Sequence, residues 1–313
     1  MVKRSIRFIP LFKIFDGSEV SIPMISYGDS GKRVLIVTPL HGNEVTPIYL
    51  IWRVMEYIES SDALKGSLDI VLGVNFYGLL FNMRVDPLSG RDINRSFPGG
   101  DEYGSSGHIA KSIYELAHKG YDLVLDIHGA GYSIPHIIID YLDLEVTDYL
   151  IEVAKYSGIP YIWDYYDMEK YYGFGLDRTL TGSLVKLGVP SLTYELPTSG
   201  YSDKDMVNSF NGLINILSYL DVLDCDKLDV EDYPKEVNGL FRRRLYSEHG
   251  GFIEAFKEPG EYFIQYEDLA VIKNILGEVL ERIRVDKEGY IISIRRTGVV
   301  KPYEGVTSIA TVR

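Results

Sequence analysis

His41 and Glu44 stand three apart in Leu40-His41-Gly42-Asn43-Glu44, directly after the apolar run Val34-Leu35-Ile36-Val37. A second histidine, His128, sits in Asp126-Ile127-His128-Gly129, just after Leu123-Val124-Leu125. An imidazole, a carboxylate and a distant imidazole make the His₂Glu donor set of a catalytic zinc ion, which keeps its fourth position for water. Both histidines end runs that read as strands, and ligands of open α/β sheets gather beyond the carboxyl ends of their strands. The pattern points to one Zn2+ per chain and to a metal-dependent hydrolase. Taken singly, His41 also reads as a satisfied loop histidine, and Glu44 as a first-turn acid favoured by the helix dipole. His128 at a second strand end is what favours the metal.

Two further segments carry chemistry. Residues 82–99 hold Arg84, Arg91 and Arg95 in a turn-rich stretch of an acidic chain. A guanidinium fork binds a carboxylate bidentately, and the adjacent Asn94 adds a neutral donor. The plainer reading is a solvated loop with local Asp–Arg pairs. Leu192-Thr193-Tyr194-Glu195-Leu196-Pro197 then places a carboxylate at the end of an apolar strand, where Glu needs a reason to be. A general base beside an activated water is one such reason; a capping or structurally paired Glu is the other.

These residues need a scaffold, and its signals are in the chain. Arg33–Thr38, Leu68–Val74, Tyr121–Ile127, Ile137–Ile139 and Val189–Leu196 read as strands. Helical patterns alternate with them: one capped by Thr46 and starting at Pro47, with Ile48, Ile51, Trp52, Met55 and Ile58 on one face. Others cover Ile109–Ala117, Val146–Tyr156 and Asp203–Leu223. This alternation predicts an α/β fold with a largely parallel sheet. After the acidic stretch Asp229-Val230-Glu231-Asp232-Tyr233-Pro234 the pattern changes to short, Gly-punctuated strands such as Tyr290-Ile291-Ile292-Ser293-Ile294. The expected organisation is therefore a hydrolase domain over 1–230 and a small β domain over 231–313.

The 313 residues suffice for one large domain with a small appendage, and a net charge of −13 disfavours nucleic-acid or anionic-membrane partners. The single Cys225 excludes an intramolecular disulfide and a Cys-rich metal cluster. It lies between Asp224 and Asp226, a setting that disfavours a nucleophilic thiolate. The segment from Met1 to Phe8 has no apolar core of signal-peptide length, and no run approaches a membrane span. A cytoplasmic protein is the expectation, so the glycosylation pattern Asn94-Arg95-Ser96 carries no meaning.

His41-Gly42-Asn43-Glu44, the run from Asp92 to Gly99 (Asp-Ile-Asn-Arg-Ser-Phe-Pro-Gly), Asp126-Ile127-His128-Gly129 and Tyr194-Glu195-Leu196-Pro197 occur in that order. Together they resemble the succinylglutamate desuccinylase/aspartoacylase family, relatives of the zinc carboxypeptidases, and the likeness covers nearly the whole chain. The resemblance implies a three-layer αβα zinc-hydrolase core followed by a small C-terminal β domain. It implies that His41, Glu44 and His128 bind zinc, that Glu195 is the general base, and that Asn94 and Arg95 hold a substrate carboxylate. Arg84 corresponds to the residue that polarises the scissile carbonyl, with Arg91 close enough in sequence to share that candidacy, and Tyr303 matches a substrate-binding Tyr of the C-terminal domain. The implied reaction is hydrolysis of an N-acyl amino acid or similar small amide bearing a carboxylate. A peptide-cleaving carboxypeptidase and a metal-containing binding protein without catalysis are the alternatives; a homo-oligomer is compatible with either.

Overall fold

Strands and helices alternate from Arg33 to Tyr219 because apolar runs buried on both faces alternate with amphipathic stretches. The computed structural model describes residues 4–142, 145–164, 167–200, 202–231 and 233–312. Met1, Val2 and Lys3 of the amino-terminal reading, and Asp232 of the acidic stretch, lie outside the described residues.

In chain order the first strands are β1 (Ser5–Lys13), β2 (Glu19–Tyr27), β3 (Arg33–Thr38), β4 (Ser67–Leu72), β5 (Leu123–Gly129), β6 (His136–Ile139), β7 (Tyr161–Trp163) and β8 (Ser191–Leu196). They are joined by helices α1 (Thr46–Ser60), α2 (Phe76–Phe81), α3 (Ser105–Ala117), α4 (Val146–Ser157), α5 (Met168–Gly173), α6 (Leu180–Val185) and α7 (Asp203–Tyr219). The carboxy-terminal strands are β9 (Leu240–Tyr246), β10 (Gly251–Ala255), β11 (Tyr262–Phe263), β12 (Ala270–Lys273), β13 (Val279–Ile283), β14 (Gly289–Ile294), β15 (Thr297–Val300) and β16 (Gly305–Thr311).

The main sheet has the order β1-β2-β4-β3-β5-β8-β6-β7-β9-β16-β14-β11. Its centre, β4-β3-β5-β8, is parallel, and β6 then runs antiparallel to β8. Helices cover both faces. Val34 and Ile36 of β3 pack into a core with α1, α4 and α7, while Leu35 and Val37 pack into a second core with α3 and α6. This is the three-layer arrangement expected, with a mixed rather than purely parallel sheet. The carboxy-terminal part joins through the sheet itself: β9 pairs in parallel with β7 at Ile162↔Leu240 and Trp163↔Phe241. A separate antiparallel sheet, β13-β12-β10-β15, completes it.

Three local expectations need correction. Thr46 does not cap α1: it is already the first helical residue, and Val45, whose side chain has no polar atom, holds the cap position. Trp52 is 53% exposed, and the buried stripe of α1 runs instead through Leu50, Ile51, Val54, Met55 and Ile58. Helix α7 stops at Tyr219 rather than Leu223, and the chain leaves it through Asp221 in the left-handed region at φ 54°. No helix among the described residues is long and apolar enough to cross a membrane.

Candidate metal centre and active site

The β3–α1 loop brings His41 and Glu44 together, and the end of β5 brings His128 to meet them. All three side chains are buried. Glycines make the approach possible: a Cβ on Gly42 would lie 1.9 Å from the Gly78 carbonyl carbon, and one on Gly129 would lie 2.1 Å from Thr198 Cγ2. His41 Nδ1 lies 2.8 Å from Glu44 Oε1, His128 Nδ1 lies 3.0 Å from Glu44 Oε2, and the two Nδ1 atoms are 3.1 Å apart. A tetrahedral zinc with ligand bonds of ~2.0–2.1 Å needs donors about 3.3 Å apart, and one ligand atom from each of the three residues lies within 4.8 Å of the others.

The outer nitrogens confirm which atoms face inward. His41 Nε2 lies 3.1 Å from Asp92 Oδ1 and His128 Nε2 lies 2.9 Å from Asp126 Oδ2. A carboxylate behind each imidazole fixes the ring and leaves the Nδ1 lone pair for a metal, the usual support of histidine ligands. Burial opposes ionisation of Glu44, yet His41 and His128 outweigh it and hold its carboxyl well below the usual carboxylate range. Burial likewise opposes a charge on His128, but Asp126 and Glu44 raise its proton affinity well above the ordinary histidine value. Two inward-facing imidazole nitrogens and a carboxylate so close together form a donor set that could hold a metal ion.

Glu195 lies level with His128 on the neighbouring strand, paired His128↔Glu195 across β5 and β8 and His136↔Glu195 across β8 and β6. Its Oε2 is enclosed and has no hydrogen-bond partner among the described residues, and burial raises its carboxyl above the ordinary range. The three donors and Glu195 open into one cavity of about 950 Å³, at the upper end of small-molecule sites.

The arginine-rich loop divides. Arg84 lines the cavity, donating to Glu44 Oε1 at 3.4 Å and to Asp92 Oδ2 at 3.1 Å. Arg91 is not among the lining residues; its guanidinium lies over the Tyr103 ring, 5.8 Å from the centroid. Arg95 lines the cavity, with Nε donating to Phe174 O at 3.0 Å and Nη1 to Asn94 O at 2.7 Å. Asn94 is buried and its amide is committed to the protein. Oδ1 accepts from Leu180 N–H at 2.8 Å, and Nδ2 lies 3.1 Å from His128 Nε2 and 3.4 Å from Asp126 Oδ2. Tyr303 is 78% exposed and does not line the cavity; the carboxy-terminal tyrosine that does is Tyr246.

Sequence reasoning missed the supporting acids and the far wall. Asp126 precedes His128 by two on β5, so both share a face, a spacing legible within the motif itself. Arg242, Arg244 and Tyr246 alternate along β9 and line the cavity, a pattern visible in Phe241-Arg242-Arg243-Arg244-Leu245-Tyr246. Asp140, Asp164 and Arg242 sit side by side just past or within β6, β7 and β9, with Arg242 Nη2 2.6 Å from Asp164 Oδ1. Burial, together with Asp164, pushes the Asp140 carboxyl up to about 7.

Comparison with known proteins adds an independent line. The family model of the succinylglutamate desuccinylase/aspartoacylase catalytic domain matches residues 30–220. N-alpha-acetyl-L-2,4-diaminobutyric acid deacetylase of Halomonas elongata is 22% identical over 304 residues, covering 94% of this chain and 86% of that protein. Among solved structures, a succinylglutamate desuccinylase/aspartoacylase from Rhodobacter sphaeroides superposes with a TM-score of 0.82 at 20% identity, over 99% of this chain and 95% of that one. The product-bound ectoine utilization protein EutE (DoeB) from Ruegeria pomeroyi gives 0.81 at 20% identity over the same shares, 99% and 95%.

Proposed function

The chain belongs to the succinylglutamate desuccinylase/aspartoacylase family, and from that premise we propose that it is a zinc-dependent deacylase. Its substrate is a small N-acyl amino acid or similar amide bearing a carboxylate. One observation carries the reading: a buried His41–Glu44–His128 donor set, each imidazole backed by a carboxylate, opens into the same cavity as the unpartnered Glu195 carboxylate. The curated relative that deacetylates an N-acetyl diamino acid supports an amino-acid amide as the substrate class.

When bound, zinc supplies Lewis acidity, which lowers the pKa of a water toward ~7 and polarises a carbonyl. Glu195 takes a proton from the attacking water and returns it to the leaving nitrogen. Arg84 donates to the developing oxyanion; a guanidinium carries more N–H donors than its contacts to Glu44 and Asp92 use. Arg95 holds the substrate carboxylate, and Asn94 holds Asp126 and His128 in place from behind. Carboxy-terminal residues such as Arg244, Tyr246 and Arg295 wall the cavity, which favours a small amide over a long peptide. A mere binding protein gains nothing from an unpaired carboxylate beside its metal ligands. The test is a hydrolysis screen of N-acetyl and N-succinyl amino acids beside short peptides, with zinc supplied. Cleavage of peptides in preference to acyl amino acids would replace this reading with a carboxypeptidase.

Two variants check the arginine roles. Arg84→Gln should lower kcat/KM by roughly 10²-fold, the scale of a lost oxyanion donor, while Arg91→Gln should stay near the parent; the reverse order would exchange their roles. Arg95→Ala should lower kcat/KM roughly 10- to 150-fold for a carboxylate substrate, from ~1.5–3 kcal/mol of charge-assisted hydrogen bonding. The same amide with its carboxylate masked should start poor and lose little more. Equal losses on both substrates would remove Arg95 from carboxylate binding.

A further inference from the structure

The arginines lining the cavity are Arg84, Arg95, Arg242, Arg244, Arg295 and Arg296. In a chain of net charge −13 such a concentration calls for anions. Most of these cations are already paired: Arg84 with Glu44 and Asp92, Arg242 with Asp164, Arg295 with Glu304 at 3.0 Å, and Arg296 with Glu258 at 3.6 Å. Among the described residues, Arg95 and Arg244 have no carboxylate within ion-pair distance. Among the described residues Arg95 bonds only backbone carbonyls, and the Arg244 guanidinium has no hydrogen-bond partner.

The two belong to the same neighbourhood. Phe174, whose carbonyl accepts from Arg95 Nε, stacks its ring on Tyr246 with centroids 6.2 Å apart. Tyr246 lies two residues beyond Arg244 on β9, so the two side chains share the face that lines the cavity. The Phe174–Tyr246 stack thus joins β9 to the turn after α5, and that same turn receives Arg95 through the Phe174 carbonyl. Burial lowers the proton affinity of Arg95, Asp92 opposes this, and repulsion from Arg84, Arg244 and Arg242 adds to it. Two like charges with no carboxylate within ion-pair distance of either, as Arg95 and Arg244 are, gain more from an anion than from a neutral group.

We propose that Arg244 and Arg95 hold one substrate carboxylate between them, which makes Arg244 a specificity-determining residue supplied by the carboxy-terminal part of the chain. The proposal rests on the deacylase reading above and sharpens it: the carboxylate site is two-sided, and half of it comes from β9. Arg242, one alternate position earlier, is engaged by Asp164 and so leaves this task to Arg244.

The experiment measures binding apart from turnover. Full-length, zinc-supplied protein carrying Glu195→Gln is titrated by calorimetry with a panel of N-acetyl amino acids and with their neutral C-terminal amides. The parent should prefer the acids. Adding Arg244→Gln should weaken the acids roughly 10- to 100-fold, as expected for losing a charge-assisted bond to a carboxylate, and leave the amides within about twofold. Arg244→Lys should recover part of the loss. Arg95→Gln and Arg244→Gln combined should lose less than the product of the single losses, because each alone already spoils the shared grip. Acids bound within about twofold of the parent after Arg244→Gln, no preference for acids in the parent, or single losses that multiply in full would each overturn the proposal. The expected binding pattern in a chain whose unsubstituted form cleaves none of these amides would keep the grip and remove the deacylase reading instead.

Discussion

Replacing His41 and His128 together by Ala is expected to leave a folded chain that holds no stoichiometric zinc and cleaves amides at least ~10³-fold more slowly than the parent. The expectation follows from the donor triangle. With both imidazoles gone, Glu44 is left as a single carboxylate, too few donors for a site that requires three protein ligands. Glu44 keeps the Gly129 N–H at 2.8 Å and the Arg84 guanidinium as partners, whereas Asp126, buried behind His128, keeps only the Asn94 amide at 3.4 Å among the described residues, so a lower stability is expected beside the loss of metal. Asp92→Asn and Asp126→Asn, which retain the ligands but weaken their support, should lower zinc affinity by a smaller factor, ~10- to 100-fold. Metal analysis beside circular dichroism reads all of these. A double-Ala protein that still carries one tightly held zinc would place the metal elsewhere.

The second large effect belongs to Glu195. Glu195→Gln should keep fold and zinc but lower kcat by ~10²-fold or more, the scale of lost general acid–base catalysis. The amide fills the same space and cannot take a proton. The pH profile supplies a second readout. The base works only when ionised, and burial raises its carboxyl above the ordinary range. As pH falls, the acid limb of kcat/KM should therefore set in above the range of an exposed glutamate, and it should vanish in the residual activity of the Gln variant. Near-native turnover in a well-folded variant would take the role from Glu195.

The parts of this site that the sequence exposed are those carried by local chemistry. His41, His128 and Glu195 stand at or just past the ends of apolar strands, and Glu44 lies three residues beyond His41, so these polar residues stand out on their own. The central strands β3 and β5 were legible for the same reason, since each carries an unbroken run of Val, Leu and Ile. What escaped depends on three-dimensional pairing. The hairpin of β1 and β2 lies at the sheet edge, where β1 is largely exposed and carries Pro10, so its periodicity is weak. Trp52 reads as core by type but lies outside the buried stripe of α1. Tyr303 follows from the likeness alone, whereas Tyr246 reaches the cavity because β9 crosses from the carboxy-terminal part to pair with β7. Arg244 gains its neighbourhood with Arg95 only through that crossing, which no local pattern announces.

The most direct measurement removes and restores the metal. Purified protein is stripped with a chelator, its zinc content is measured, and hydrolysis of the best N-acyl amino acid from the screen is followed as zinc is returned in fractions of an equivalent. The stripped chain should show no measurable hydrolysis, and the rate should rise linearly with returned zinc and level at one zinc per chain. Hydrolysis by the zinc-free chain at the rate of the restored protein would contradict zinc dependence.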